Sequence, residues 1–504
     1  MARGLLAVLA LSLGVAGLVE SVSALDHKVV AVGANVVASP GGPKENNVIE
    51  VDNSPSIAVA PQHPAHLVIT YRVDRPDFSA GLRWSDDAGA TWTSTALPLP
   101  PGKNKPYAPD IAFASDGRLF ILYSNLAGAG NSPDNLWLAS SADGGRTVTE
   151  PVRITGALAF QSRLAVGPTG EIYVTWLQAY QVGTLRVSGP PPTIVATRST
   201  DGHTFTSPAR LSDPGRTRVG AASPVVDAAG RLVVLYEDFK GDARDFQNLE
   251  GPPWDRPFAL VATTSTDGAR SFTAGVDVDT DVVPTHRFLV FTPESPSLVA
   301  APGHLYAVWS DGRNGDEDVF LRRSDDGGRS WGGQKPPVRV NVNRLHDGTS
   351  QSLPRAAVAA DGRVDVLLLD RRRDRANVMV DAYLASSSDA GRSFTNRRIS
   401  AQPFDSRIGA RAAPALPVDF GSRLGLTSGP TTTFAAWTDT HLGTPATGRQ
   451  DIMVANVRHG LRTPDPGRLK ATGVLLSLGV LVIFAWWFTG TGRRPAQVAQ
   501  TDRA

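Results

Sequence analysis

The chain has 504 residues, of which 41% are hydrophobic and 19% are charged, and this is the composition of a globular protein with a substantial core. A formal net charge of +2, without a cluster of basic residues, excludes the phosphate-binding surface that a nucleic-acid partner requires. The absence of cysteine excludes disulfides, thiolate metal sites and a cysteine nucleophile. The nine histidines are dispersed, and we predict no metal and no cofactor.

The first 24 residues have the pattern of a secretory signal peptide. Arg3 supplies the positive start, residues 4–19 are apolar, and Val22-Ser23-Ala24 offers the small residues that signal peptidase recognises. Cleavage after Ala24 would place the mature chain outside the cytoplasm. An uncleaved anchor is the alternative.

Six copies of one short motif, S-x-D-x-G-x-[ST], run through the middle of the chain, and two of them are irregular: one has Ala269 at the glycine position, and the copy that begins at Ser199 is one residue short. Successive copies begin about 60 residues apart, which is room for four short strands and their turns, or one blade of a β-propeller. Serine and aspartate side chains can bond to the backbone of such a turn, so we predict a structural and not a catalytic role for the aspartates. These are Asp87, Asp143, Asp201, Asp267, Asp326 and Asp389.

This motif resembles the Asp box (BNR repeat) of the sialidase-like propellers, and the resemblance extends over residues 25–460. It implies an all-β propeller of four-stranded blades, in which the motifs are the turns between the third and fourth strands. The loops between the second and third strands, and those between blades, would then lie on the opposite face. Enzymes and receptors of this architecture use that face.

Both ends of the propeller region contribute to the blade count. Three strands without a motif follow the sixth copy, near residues 421–426, 432–438 and 451–457, and one strand near residues 28–38 precedes the first blade. Together they make one blade that closes the ring and leaves no exposed edge. We predict seven blades closed by the two chain ends, with six as the alternative.

The ends of the second strands are chemically biased. An aromatic residue is usually followed two positions later by a carboxylate or an amide, as in Trp309-Ser-Asp311 and Trp437-Thr-Asp439. Pairing with neighbouring arginines, which would hold the loops between blades, is one interpretation, and a ligand-binding rim is the other. The candidate rim residues are Arg72, Asp74, Glu237, Asp238, Arg287, Asp311, Arg313, Asp370, Arg371, Arg423, Asp439 and His441.

Two connections on this face are enlarged, at residues 178–193 and 237–257, and carry Tyr180 and Trp254. Aromatic side chains on long loops above a concave surface suit stacking against a sugar. Insertion without function is the alternative.

Residues 471–490 contain an uncharged apolar stretch from Ala471 to Phe488. As a helix it would extend about 27 Å, close to the hydrocarbon thickness of a bilayer. We predict a 461–470 linker, one transmembrane helix at 471–490, and a cytoplasmic tail at 491–504, with the propeller on the outer side of the cell membrane. A buried core helix is the alternative.

The resemblance also implies what a working sialidase would need: three arginines around the substrate carboxylate, an aspartate as acid and base, and a tyrosine paired with a glutamate. The chain has no Arg-Ile-Pro stretch before its first motif and no tyrosine after Tyr383, so the catalytic residues stay unassigned. Our leading prediction is a membrane-anchored propeller that binds glycan or acidic ligands without full sialidase chemistry. An exo-acting glycoside hydrolase of the exo-α-sialidase type and a scaffold for envelope protein assembly, with protein partners, are the alternatives.

Overall fold

The computed structural model describes residues 27–39, 50–128, 131–156, 158–183, 186–188, 190–240, 256–285, 294, 296–332, 336–409 and 418–461. These residues form strands and turns, and none of them belongs to a helix that could cross a bilayer. Two compact units are distinguished, and the one from Val29 to Gly460 is described below. The predicted signal peptide at 1–24 and the predicted transmembrane helix at 471–490 lie outside the described residues.

The unit from Val29 to Gly460 is a seven-bladed β-propeller, which confirms the predicted all-β propeller of four-stranded blades and the predicted blade number. Each blade is an antiparallel sheet in which consecutive strands are neighbours. The first two strands of the chain are β1 (His27–Val32) and β2 (Val36–Val37). Blade 1 comprises β3 (Asp52–Ala60), β4 (His63–Val73), β5 (Ser79–Ser85) and β6 (Thr93–Ser94), and blade 2 comprises β7 (Pro106–Phe113), β8 (Leu119–Ala127), β9 (Ser132–Ser141) and β10 (Val152–Thr155).

The next four blades follow the same order. Blade 3 comprises β11 (Ala159–Val166), β12 (Ile172–Gln178), β15 (Thr193–Ser199) and β16 (Ala209–Arg210), with a hairpin of β13 (Gln181–Gly183) and β14 (Arg186–Ser188) inserted between its middle strands. Blade 4 comprises β17 (Val219–Val226), β18 (Leu232–Asp238), β19 (Phe258–Ser265) and β20 (Val276–Val282). Blade 5 comprises β21 (Ser297–Ala301), β22 (His304–Asp311), β23 (Asp318–Ser324) and β24 (Val338–Arg339). Blade 6 comprises β25 (Gln351–Val358), β26 (Val364–Asp370), β27 (Met379–Ser387) and β28 (Thr395–Arg398), with β29 (Phe404–Asp405) also on β27.

Blade 7 closes the ring by combining both ends of the propeller. Its first three strands are β30 (Gly425–Ser428), β31 (Thr432–Asp439) and β32 (Asp451–Leu461), and β1 and β2 pair with β32 on the outside. In this pairing Val36 lies opposite Val454, and the N–H of Ala38 donates to the carbonyl of Ile452 at 2.7 Å. This closure by strands from both chain ends is the one that the sequence predicts. It covers the edge of β32, which would otherwise be unpaired.

The hydrophobic core lies between adjacent blades. One cluster, for example, joins Ile57, Leu67 and Tyr71 of blade 1 to Phe434 and Val454 of blade 7. Because the side chains of a strand alternate between two faces, each blade presents apolar residues to both of its neighbours. The radial stacking of seven sheets therefore fixes which residues point into the central channel.

All six motif copies, called Ser/Asp turns below, connect the third strand of a blade to the fourth. In the turn of blade 5, the hydroxyl of Ser324 donates to Asp326 Oδ1 at 2.8 Å, and Ser330 donates its N–H to Oδ1 and its hydroxyl to Oδ2, at 2.9 and 2.6 Å. The N–H of Gly328, at a φ of 90°, donates to Ser324 Oγ at 2.9 Å. The same serine-to-aspartate bond recurs in all six turns at 2.7–2.9 Å.

The aspartates of these turns are therefore occupied by their own backbone and hydroxyl groups. Hydrogen bonds from the Thr91 hydroxyl, the Thr91 N–H and the Ser85 hydroxyl hold the pKa of Asp87 at about 2. The two irregular copies keep the arrangement: Ala269 takes a φ of 63° in place of glycine, and in the shorter turn the N–H of Gly202 reaches Ser199 Oγ at 2.9 Å. The edge with the Ser/Asp turns is called the turn face below, and the opposite edge is called the loop face.

Candidate anion site in the central channel

The innermost strand of six blades carries a polar residue at the same place. Strand pairing makes these residues equivalent, because each is paired with a residue near the middle of the second strand of its blade. They are Ser56, Asp110, Arg163, Ser223, Ser297 and Arg355. In five of the blades a β-bulge precedes this position, with one non-glycine residue at positive φ; these residues are Ser54, Ala108, Gln161, Ala221 and Leu353.

The short side chains at this position link neighbouring blades. Ser223 Oγ accepts the N–H of Leu298 at 3.0 Å, and Ser297 Oγ accepts the N–H of Ala356 at 3.0 Å. Asp110 takes part in the same ring of bonds, since its Oδ2 accepts the N–H of Leu164 at 3.1 Å. Its Oδ1 accepts the hydroxyl of Ser56 at 2.8 Å and the N–H of Ile111 at 3.2 Å. The Asp110 carboxylate is thus held in place by neutral donors from three blades.

Arginines occupy the channel around this carboxylate. Arg163 and Arg355 stand at the equivalent position of blades 3 and 6, and Arg423 comes from the segment just before β30. Arg163, Arg423 and Asp110 are only 7%, 5% and 6% exposed, and Arg423 Nη2 lies 3.9 Å from Asp110 Oδ1. Burial would raise the pKa of Asp110, but the three guanidinium groups, Arg423 first, lower it. An ionised carboxylate therefore faces three cations.

The pKa of each of the three arginines is lowered, which shows that their charged form is destabilised in the cluster. Burial, together with repulsion from Arg423, lowers the pKa of Arg163 to about 9, and burial lowers the pKa of Arg355 and of Arg423 as well. Arg423 Nε and Nη1 have no hydrogen-bond partner within the described residues, and in the same part of the chain the guanidinium of Arg355 makes no hydrogen bond. Buried charges are normally paired, and guanidinium forks match the geometry of an oxyanion. The cluster of Asp110, Arg163, Arg355 and Arg423, called the channel cluster below, is suited to hold an anion.

Arg72, a predicted rim residue, lies in the wall beside this cluster. It is buried, and its Nη2 donates to Asp74 Oδ2 at 2.7 Å and to Asp419 Oδ2 at 2.6 Å. The guanidinium carbon lies 5.5 Å from the ring centre of Tyr107. Two carboxylates neutralise Arg72, so it differs from the three arginines of the channel cluster. Burial raises the pKa of Tyr107, whereas a tyrosine nucleophile needs an activating base and a lowered pKa.

The predicted rim carboxylates of blades 5 and 7 accept hydrogen bonds from residues of the same strand end and the loop that follows it. Asp311 Oδ2 accepts the indole N–H of Trp309 at 2.8 Å, and Asp311 also accepts the backbone N–H and the guanidinium of Arg313. Asp439 accepts the indole N–H of Trp437 at 3.0 Å and both the N–H and Nδ1 of His441. Its hydrogen bond to Asp439 raises the pKa of His441.

The remaining rim candidates are dispersed. Asp370 accepts the N–H and Nε of Arg372, so that Arg372 and not Arg371 is its partner, while Arg371 is half-buried. Asp238 accepts Nη1 of Arg216 at 2.7 Å, and Glu237 is buried within β18. Arg287 lies outside the described residues, as does Trp254 of the longer loop. Tyr180 of the other enlarged loop is 48% exposed.

Of the candidate rim residues that the structure describes, only Arg423 belongs to the channel cluster, with Arg72 and Asp74 beside it. Asp110, Arg163 and Arg355 are not predicted from the sequence. They lie in the first strands of their blades, whereas the candidate rim residues come from the ends of the second strands and the loops between blades. Within the described ranges, no three His, Asp or Glu side chains are grouped so that they could hold a metal ion.

No family model matches the chain, and no curated protein matches it. Solved structures with a similar fold include a Hadza microbial sialidase, at 14% identity and a TM-score of 0.43, covering 86% of this chain and 95% of that one. They also include an α-L-arabinanase from Penicillium chrysogenum complexed with arabinobiose, at 14% identity and a TM-score of 0.45, covering 84% of this chain and 98% of that one. A sialidase from Trypanosoma rangeli matches at 11% identity and a TM-score of 0.40, covering 85% of this chain and 59% of that one.

Proposed function

We propose that this protein is a membrane-anchored, extracytoplasmic propeller that binds the acid group of an acidic glycan in its central channel, without sialidase chemistry. One observation carries the proposal: three guanidinium groups, of which those of Arg163 and Arg423 are buried and that of Arg355 is half-buried, lie near the carboxylate of Asp110, and two nitrogens of Arg423 lack partners among the described residues. An exogenous oxyanion would supply both the missing charge and the missing acceptors. Among oxyanions we favour a sugar acid, because the Ser/Asp turns resemble the Asp boxes of sialidase-like propellers.

The geometry of the channel cluster favours binding over hydrolysis. Glycoside hydrolysis needs a carboxylic acid that stays protonated to release the leaving group. The pKa of Asp110 is lowered instead, and the pKa of Tyr107 is raised, so neither group is prepared for its part in a sialidase-type reaction. The three arginines nevertheless match one element of that reaction, and an exo-acting sialidase is therefore the second candidate.

Export and anchoring belong to the same proposal. They rest on the signal-like residues 1–24 and the apolar residues 471–490. Membrane fractionation of the native host, followed by N-terminal sequencing of the protein, tests both. Recovery in the soluble fraction with an intact Met1 would contradict them.

The binding proposal is tested by thermal unfolding of the full-length chain in detergent. Galacturonic acid and N-acetylneuraminic acid are each compared with their methyl esters, which keep the sugar and lose the charge. We expect at least one acid to raise Tm at millimolar concentration and its ester to have no effect. Equal responses to acid and ester would contradict the proposal, and steady release of the aryl group from an aryl sialoside would favour the sialidase.

A further inference from the structure

A second polar site lies on the loop face of blade 2. It is a cavity of about 230 Å³, bounded by residues 102–105 of the connection from blade 1, by residues 125–128 at the end of β8, and by Asp134 of β9. The polar side chains that line it are those of Lys103, Asn104, Lys105, Asn125 and Asp134. The cavity is smaller than the usual pocket for a drug-sized ligand and is suited to a single sugar unit.

Asn125 fixes the two loops that form this cavity. Its Oδ1 accepts the N–H of Lys105 at 3.2 Å, and its Nδ2 donates to the carbonyl of Leu126 at 2.9 Å. The Lys103 ammonium pairs with Asp134. Lys105 Nζ reaches only Asn131 Oδ1, at 3.4 Å, among the described residues, so most of its hydrogen-bonding capacity faces the cavity. Lys103 is thus paired with Asp134, whereas Lys105 has no ion pair among the described residues.

The use of lysine here is unusual for this chain. Only seven of its 50 basic residues are lysines, and two of the seven lie within three positions of each other in this cavity. Elsewhere the structural ion pairs use arginine, as in Arg313 with Asp311. An ammonium is a compact, strongly hydrated charge that bonds to exposed oxygens in many directions, which suits an exchangeable anionic ligand better than a fixed internal pair.

The cavity and the channel cluster are connected by one strand. Lys105 immediately precedes β7, and the same strand carries Tyr107, beside Arg72, and Asp110 of the channel cluster. Five residues of extended chain span at most roughly 17 Å, and the bulge between Tyr107 and Asp110 shortens this distance. Two positive sites therefore lie in line from the channel towards the rim of the loop face.

We infer that the cavity of Lys103 and Lys105 is a second subsite, and that the ligand is an oligosaccharide with acid groups on successive units. This inference rests on the proposed function, because it assigns the first acid group to the channel cluster. A ligand with one terminal acid group would use the channel cluster alone. An oligosaccharide of uronic acids would use both sites.

Calorimetric titration of the full-length chain with galacturonate and with tetragalacturonate tests the inference. We expect Lys105→Met to weaken binding of the tetramer about fivefold and to leave the monomer unchanged. Lys240→Met is the matched control, since Lys240 is an exposed lysine of the loop face on blade 4 whose Nζ donates to the carbonyl of Thr280. It should change neither affinity.

The outcomes separate this inference from the proposed function. If Lys105→Met leaves tetramer binding unchanged, or weakens monomer and tetramer equally, the second subsite is wrong while monomer binding still supports the channel cluster. If the unaltered chain binds neither acid, the inference and the proposed function are both wrong. If the channel cluster is the first subsite, Arg355→Met should abolish binding of the monomer.

Discussion

Arg423 of blade 7 places its Nη2 3.9 Å from Oδ1 of Asp110 in blade 2 and donates to the carbonyl of Pro109 in the same blade. The segment that carries Arg423 also brings Asp419 to Arg72 and lets the N–H of Ser422 donate to Ser54 Oγ at 3.0 Å. The same segment therefore both packs blade 7 against blade 1 and places Arg423 in the channel cluster. Variants that disturb this segment should affect stability and anion binding together.

Gly421 tests this coupling. Its φ is 92°, and a Cβ there would lie 2.5 Å from Ser54 Oγ and 2.6 Å from Ser54 N. Gly421→Ala should destabilise the chain by about 2 kcal/mol more than Gly362→Ala, whose site has a φ of 86° and no atom within 4 Å. Urea unfolding measures both, and equal costs would show that the closing segment can move away from Ser54.

Arg355 of the channel cluster should be dispensable for stability. Arg355→Met removes one of three like charges in a buried cluster, so we expect unchanged or increased resistance to urea. Arg363, in the same blade, is the contrasting case: its Nε donates to Asp365 at 3.0 Å and its other nitrogens donate to the carbonyls of Gly429 and Pro430. Arg363→Met leaves Asp365 buried without its cation and should cost about 3–5 kcal/mol. A similar loss in both variants would contradict a binding role for Arg355.

The Ser/Asp turns should matter for stability and not for binding. Asp326→Ala removes three hydrogen bonds within its turn and should cost about 2 kcal/mol, whereas Asp325→Ala, at the exposed neighbouring residue, should cost less than about 1 kcal/mol. Hydrogen bonds from Ser330 and Ser324 outweigh burial and hold the pKa of Asp326 at about 2, below its ordinary value of 3.8. Its stabilisation is therefore full above pH 4 and is lost as the pH falls towards 2. The urea midpoint of Asp326→Ala should therefore fall less between pH 4 and pH 2 than that of the unaltered chain, since the other five turns keep their acid sensitivity, and equal falls would contradict a stabilising role for Asp326.

The contribution of Asp52 to stability should have the opposite pH dependence from that of Asp326. It is fully buried, and a hydrogen bond from Ser39 offsets only part of the cost of burying its charge. Burial, followed by the nearby carboxylates of Glu50, Asp451 and Asp74, raises its pKa well above 3.8. A raised pKa in the folded state stabilises fully below the unfolded pKa, near 4, and this stabilisation is lost as the pH rises towards the folded value. Asp52→Asn should therefore lose less stability than the unaltered chain between pH 4 and 8, and a parallel pH dependence of the two would show that Asp52 is ionised in the fold.

The sequence predicts the seven blades and their closure, but of the channel cluster it predicts only Arg423, and the reason is physical. The Ser/Asp turns and the strands at both chain ends are local patterns, because each turn contains its own hydrogen-bond partners. Whether Arg163 or Arg355 points into the channel depends instead on the bulge just before it, which shifts the alternation of side chains by one residue. The bulge residues Gln161 and Leu353 are not glycine, so their positive φ leaves no mark in the sequence. The recurrence of a polar residue in the first strands, as in PDIAF, SRLAV and PRAAV, is the signal that could have identified the position.

We propose that a sugar acid binds to Arg163, Arg355 and Arg423 through its charge. The most direct measurement is calorimetric titration of galacturonate into the full-length chain, beside its Arg355→Met and Arg371→Met variants, with Arg371 serving as the control arginine of the same blade outside the channel cluster. We predict millimolar or tighter binding to the unaltered chain and to Arg371→Met, weakening as salt is raised, and at least a tenfold loss in Arg355→Met. Equal affinity in all three chains, or equal affinity for the acid and its methyl ester, would contradict the account.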